Sequence, residues 1–388
     1  MAVIDSFIGQ IEEQTIDVGL LKDVILNSIQ IRDNLIIFSA PGLGKSSIVQ
    51  QVADEINSLL MKNTPESEMF LDRNGNKCCY ELIDLRLSLL EPSDVVGLPN
   101  FVSDEYGVTR TKFSLPTIFP SNPKWKGIIF LDEFDQASPQ VMNACYQMIQ
   151  DRRVHEYKFP VGTTFIAAGN GDTVVQSYSS ELPQALCNRF TNVKVRENLD
   201  NWISWAIKNN IDSTVITFLK SQHPELLLDK KALQDGDKIF ATPRAWQKVS
   251  DIIKSNASDI IKQVQINGRV GYTTGSLFWS YSKKEKKLPN FIDILDGVID
   301  IDDNSLDIFY SCMIGCLTKI VQLKDDEEQK KIWITNISKS INKLKKEENV
   351  VFAGKLIYQS LSTKDTDNIE FLKILKRIKE ARKSINAY

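Results

Sequence analysis

The sequence predicts an α/β protein, a mainly parallel three-layer sheet over the first half of the chain followed by a helical second half. Three observations carry this. Short apolar, β-branched runs alternate with segments whose apolar residues recur every three or four positions, up to about residue 198. Turn-rich stretches such as "KNTPESEM" and "LDRNGNK" punctuate that alternation. Beyond it the strand signal fades and helical spacing persists, in "NWISWAIKNN", "TVITFLKSQ" and "PRAWQKVSDIIKS".

The first clear strand is "LIIFS" at 35–39, bounded by Pro and Gly. A helix follows over 45–60, because Ile48, Val49, Val52, Ile56 and Leu59 fall on one face. "CCYELIDL" at 78–85 is the second strand and "GIIFLD" at 127–132 the third. Ser138 and Pro139 make a cap and first-turn pair for a helix that buries Val141, Met142, Cys145, Met148 and Ile149. "RVHEYKFPVGTTFIAAGN" reads as a hairpin returning into a fourth strand at 163–169, and "VKV" at 193–195 as a fifth. The lysine-rich "SKKEKKLPN" at 282–290 has the composition of a linker. Phe371, Ile374, Leu375, Ile378, Ala381 and Ile385 mark an amphipathic final helix. The expected domains are 1–198, 199–285 and 286–388.

Composition narrows the function. A chain of 388 residues with 42% apolar content can bury a sizeable core in two or three domains. A net charge of −3 argues against a surface built mainly for nucleic acid. No run reaches the length of a membrane span, and the acidic start "MAVIDSFIGQIEEQ" is unlike a secretory leader, so the cytoplasm is the expected compartment. Six cysteines without a C-x-x-C pair, and two histidines, indicate neither structural zinc nor a disulfide framework. Cys312 and Cys316 are expected to pack inside a helix.

The chemistry concentrates in three places. "SAPGLGKS", Ser39 to Ser46, nearly fits G-x-x-x-x-G-K-[ST] between a strand and a helix. In such a loop the backbone of Pro41, Gly42, Leu43 and Gly44, with Ser47 beyond, would cradle phosphates. Lys45 would reach their oxygens and Ser46 would ligate Mg²⁺. Ser39 stands where the first glycine belongs, which demands ordinary backbone angles there. "GIIFLDEFD" ends a strand in adjacent acids, placing Asp132 by the metal and Glu133 where water could attack a γ-phosphate, although such acids are commonly only solvated or capping. "TTFIAAGNGD" leaves Asn170 at the C-terminal edge of the sheet, as a water-orienting amide or simply a turn residue.

Taken in order, "SAPGLGKS", "IIFLDEFD", "FIAAGN", "ALCNRF" and "TPRAW" resemble AAA+ ATPases over roughly residues 15–280. "DLRLSLLEPSDVVGLP", "QMIQDRRVHEYKFPVGTTFIAAGN" and "LPQALCNRF" are similar to its MoxR branch. The resemblance implies ATP and Mg²⁺, and a nucleotide site shared between subunits of a homo-oligomeric ring, most often a hexamer. It implies that Arg189 is the finger reaching a neighbour's γ-phosphate and Arg244 the second sensor on an all-α lid. Without it, Arg189 reads as a solvated cation or local ion pair, and Arg244 as a surface arginine. "EYGVTRTKFSLP" at 105–116 and "RRVHEYKFP" would be the inserted hairpins of that clade, and His155 a hairpin side chain.

The resulting function is a chaperone-like remodeller with a protein client, its implied partners being proteins with a von Willebrand A domain. The chain's nearest stretch to that domain's metal motif, "DNSLD" at 303–307, lacks the second Ser. The alternative is a DNA-directed motor, since "LDEFD" and "NRF" also resemble minichromosome maintenance helicases and "KILKRIKEARK" is basic. A switch with little turnover is the third reading, against which the intact Lys45, Ser46, Asp132, Glu133, Asn170 and Arg189 weigh.

Overall fold

The computed structural model describes residues 15–103, 105–170, 184–283, 288–323, 326–361 and 368–385. The chain forms two compact units, Met1–Arg196 and Glu197–Tyr388.

Six strands of the first unit make one parallel sheet: β1 (Thr15–Asp17), β2 (Leu35–Phe38), β3 (Glu81–Arg86), β4 (Lys126–Asp132), β5 (Gly162–Gly169) and β6 (Thr191–Arg196). Their order across the sheet is β1-β6-β2-β5-β4-β3. Strand side chains alternate between two faces. Leu35, Ile37, Ile128, Phe130, Ile166 and Ala168 pack with helices α1 (Val18–Ile31) and α2 (Lys45–Asn63). Ile36, Ile129, Leu131, Phe165 and Ala167 pack on the other side with α3 (Pro139–Asp151). Near-continuous burial along β4 and β5 is what covering both faces demands.

The three layers follow the sequence expectation, with differences at the edges. The second expected strand begins at Glu81, because Cys78 and Lys77 instead pair with Phe70 and Leu71 in a small hairpin. The hairpin expected over 105–116 runs earlier, Leu98–Ser103 against Thr109–Ser114, and is exposed along both strands. The short hairpin after α3 pairs Arg153–Val154 with Tyr157–Lys158, leaving His155 in its turn with φ 50°.

Among its described residues the second unit is helical and without strands. One core runs through it, from Trp202, Phe218, Trp246 and Phe278 to Phe309, Ile337, Ile357 and Ile374. Residues 199–285 and 286–388 therefore share apolar packing. Cys312 and Cys316 are buried in α-helix Leu306–Gln322, and burial pushes both thiols up, Cys312 to about 11. Asp303 of "DNSLD" is buried and accepts backbone N–H bonds from Lys345 and Lys346, and Asp307 accepts from Gln222. Phe371 and Ile374 of the final helix, Ile369–Ile385, are buried, with Leu375 and Ile378 packed against the core. The side chains of Ala381 and Ile385 lie outside the described residues. Among the described residues no helix is long and apolar enough to cross a membrane.

Candidate active site

Parallel strands bring their C-terminal ends to one edge, and the candidate residues gather there. The register aligns Phe38 of β2 with Gly169 of β5 and Arg86 of β3 with Asp132 of β4. The segment after β2 turns through Gly42 (φ 77°) and Gly44 (φ 89°) into α2. A β-carbon on Gly44 would meet nothing within 4 Å, so its bareness serves the backbone angle and leaves open space in front of the helix. Gly44 has no side chain with which to cap α2, and the first turn holds no acid. A helix N-terminus of this kind, without a side-chain cap or an acid, suits an anion. Ser39 has negative φ, meeting the demand its position made, and is buried with its N–H on Gly169 O.

Lys45 Nζ donates to Ser39 O at 2.9 Å, Ser39 Oγ at 3.1 Å and Asn170 Oδ1 at 3.2 Å. Residues 6 and 125 positions away in sequence thereby converge on one ammonium. Ser46 Oγ donates to Asp132 Oδ2 at 2.8 Å. A hydroxyl and a carboxylate so close are hard oxygen donors of the kind Mg²⁺ takes, so the pair fits that ion.

Glu133 follows with φ 55° and ψ 40°. For a residue with a β-carbon this left-handed conformation costs about 1–2 kcal/mol, and it turns the chain sharply at the strand end. Glu133 N–H donates to Asp132 Oδ1 at 2.9 Å, and Ser88 Oγ donates to Glu133 Oε2. On β3, partial desolvation first and the neighbouring Asp132 and Glu133 carboxylates next raise the Asp84 pKa, against Arg86 and Arg73. Negative charge therefore accumulates beside Asp132, where a cation would relieve it.

Two contributors escaped the sequence reading. Asp135, the third acid of "LDEFD", is buried and accepts the Asn170 N–H at 2.7 Å. A β-carbon on Gly169 would come within 3.0–3.3 Å of that carboxylate, so the glycine admits it. The signal was present in the acid spacing, but the partner lies 35 residues on. Ser88 lies within "DLRLSLLEPSDVVGLP", a stretch to which no role for the serine was attached.

Arg189 lies at the other edge. Its carbonyl accepts from Asn34 Nδ2 at 3.3 Å, and Thr191 N donates to Asn34 O, immediately before β2. The phosphate-type loop follows the far end of that strand, about 10 Å away at the usual rise per residue. Arg189 Nε donates to Gln150 Oε1 at 2.7 Å near the end of α3, with its guanidinium carbon 4.4 Å from the Tyr146 ring centre. Arg244 belongs to the second unit, exposed in the first turn of α-helix Pro243–Lys254. Thr242 Oγ1 caps that helix, and Trp246 anchors it by donating to Leu226 O at 2.7 Å.

A parallel sheet with a glycine loop, a lysine and a serine–aspartate pair at one edge defines a phosphate-binding α/β domain of the P-loop class. Residues 35–197 match the family described as "ATPase family associated with various cellular activities (AAA)". No curated protein matches the chain in sequence. Similar solved structures include a protein assigned as an ATPase from Cytophaga hutchinsonii, 15% identical, covering 69% of this chain and 80% of that one with a TM-score of 0.32. The RuvB Holliday junction branch migration motor of Thermotoga maritima is 15% identical, covering 79% and 75%, TM-score 0.32. A DNA polymerase III gamma subunit-related protein of Thermotoga maritima is 10% identical, covering 93% and 98%, TM-score 0.29.

Proposed function

We propose that this chain hydrolyses ATP at a site shared between copies of itself, and spends that cycle as a MoxR-like remodeller of a protein client. One observation carries the reading. Lys45, the Ser46–Asp132 pair, Glu133 and Asn170 meet at the C-terminal edge of the sheet, while Arg189 sits at the opposite edge. An arginine so placed cannot serve its own loop, yet it is where a second copy could receive it. A ring, with the hexamer as the commonest form, is the assembly that repeats this pairing.

Each residue then has a task. Phosphate oxygens would replace the neutral acceptors on Lys45 with charged ones, a stronger hydrogen bond. Ser46 and Asp132 would hold Mg²⁺, which supplies charge neutralisation on the phosphates. Glu133 takes a proton from the attacking water, and Asn170, released by Lys45, orients that water. A neighbour's Arg189 meets the charge that develops on the transferred phosphoryl group. Arg244, in the helical unit, would read the nucleotide from the lid.

Turnover by the full chain tests this. Lys45→Ala should abolish nucleotide binding, whereas Glu133→Gln should bind ATP and scarcely hydrolyse it. A tagged Glu133→Gln chain should retain a protein, with a von Willebrand A domain partner as the expected class. ATPase stimulation by DNA that falls steeply with salt would instead support the DNA-directed motor. Against that alternative, Arg377 of the basic final helix already donates to Glu347, Asn342 O and Leu344 O within its own unit.

A further inference from the structure

We propose that Tyr146 and Gln150 are positioning residues that aim Arg189 at the neighbouring copy; the inference rests on the shared-site reading above. The two side chains are four apart on α3, so they stand on one face a turn apart. Together they bracket the guanidinium in two different ways. Gln150 Oε1 takes the Nε hydrogen at 2.7 Å, and the Tyr146 ring lies under the guanidinium carbon at 4.4 Å. A hydrogen bond at Nε with a ring on one face fixes the plane of the guanidinium fork.

The backbone beneath is fixed as firmly. Asn34 Nδ2 bridges Ile149 O at 3.1 Å and Arg189 O at 3.3 Å, tying the end of α3 to the arginine's own peptide. Arg152 Nη2 donates to Asn34 Oδ1 at 3.3 Å and to Arg32 O at 2.7 Å, and its Nη1 donates to Thr163 O at 2.7 Å. Next to Arg189, buried Phe190 meets Phe134 edge-on with ring centres 5.8 Å apart, and Phe134 adjoins Glu133. The arginine is therefore mounted on a rigid support. A long, rotamer-rich side chain loses less entropy when delivered from such a mount.

Mixing mutant chains isolates this role. Arg189→Ala chains supply Glu133, and Glu133→Gln chains supply Arg189, so activity in the mixture arises at seams that join the two. Gln150→Ala placed in the Glu133→Gln chain should lower the mixture's kcat about tenfold with KM for ATP unchanged. The same change placed in the Arg189→Ala chain should leave it unaltered, since no arginine is mounted there. Tyr146→Leu should follow the same rule with a smaller loss, and Gln150→Glu, which keeps an acceptor for Nε, should restore most of the rate. Equal losses from both placements would make Gln150 a general structural residue and overturn the proposal, as would no loss from either. A parent mixture with no activity contradicts the shared site itself and takes this proposal with it.

Discussion

The two edges of the one parallel sheet are built differently. At the C-terminal edge, polar side chains from separate elements hydrogen-bond mainly to one another: Lys45 to Asn170, Ser46 to Asp132, Ser88 to Glu133. At the N-terminal edge, side chains grip backbone: Asn34 holds Ile149 O and Arg189 O, and Arg152 holds Arg32 O and Thr163 O. The first arrangement can exchange partners for a ligand at little cost, because each bond is one polar group traded for another. Giving up the second takes side-chain donors away from backbone carbonyls that hold the loops together. One edge is thus suited to turnover and the other to holding an arginine still.

Substitutions can break that contrast, and the largest effect belongs to the fixed edge. Arg189→Ala should lower turnover by about 10³–10⁵ while nucleotide affinity, measured by fluorescence titration, stays nearly unchanged. At the exchangeable edge Glu133→Gln should cost about 10²–10⁴ in kcat, again with binding retained. Asp135→Ala removes the buried acceptor for the Asn170 N–H; it should destabilise the protein by about 1–3 kcal/mol in denaturant titration and lower kcat with it. Equal sensitivity of binding to Arg189→Ala and Lys45→Ala would erase the contrast.

The smallest effect sharpens it from outside the sheet. In the helical unit Asp200 is raised by partial desolvation but held lower overall by Lys355 at 2.7 Å and Lys220 at 3.0 Å. A carboxyl depressed in the folded state adds stability above its unfolded pKa, about 3.9, and that stability is lost as pH falls through the folded value. Melting followed by helix ellipticity should show Asp200→Asn below wild type at neutral pH, with the gap closing as pH falls below about 3.9. The ATPase motif edge should not govern that difference.

How much of this was legible follows from where the information sits. β2 and β4 are short buried runs ending in motif residues, and local pattern suffices for them. β1, three residues long, carries no periodicity, and only its pairing with β6 makes it a strand. Lys45, Ser46, Asp132 and Asn170 could be named because a loop motif and two strand ends announce them, and the structure brings them to one edge. Ser88, Asp135, Tyr146 and Gln150 could not, since each matters through a partner 35 or more residues away. The hairpin at Leu98–Ser114 was placed several residues late because both its strands are exposed and lack an apolar alternation to set their register.

Phosphate release by the wild-type chain, followed across a dilution series, tests most directly whether two copies build one site. The specific rate should climb with protein concentration to a plateau, and collapse when copies separate. A rate per chain that stays constant down to the most dilute sample would contradict the account, because each copy would then be completing its own site without another's Arg189.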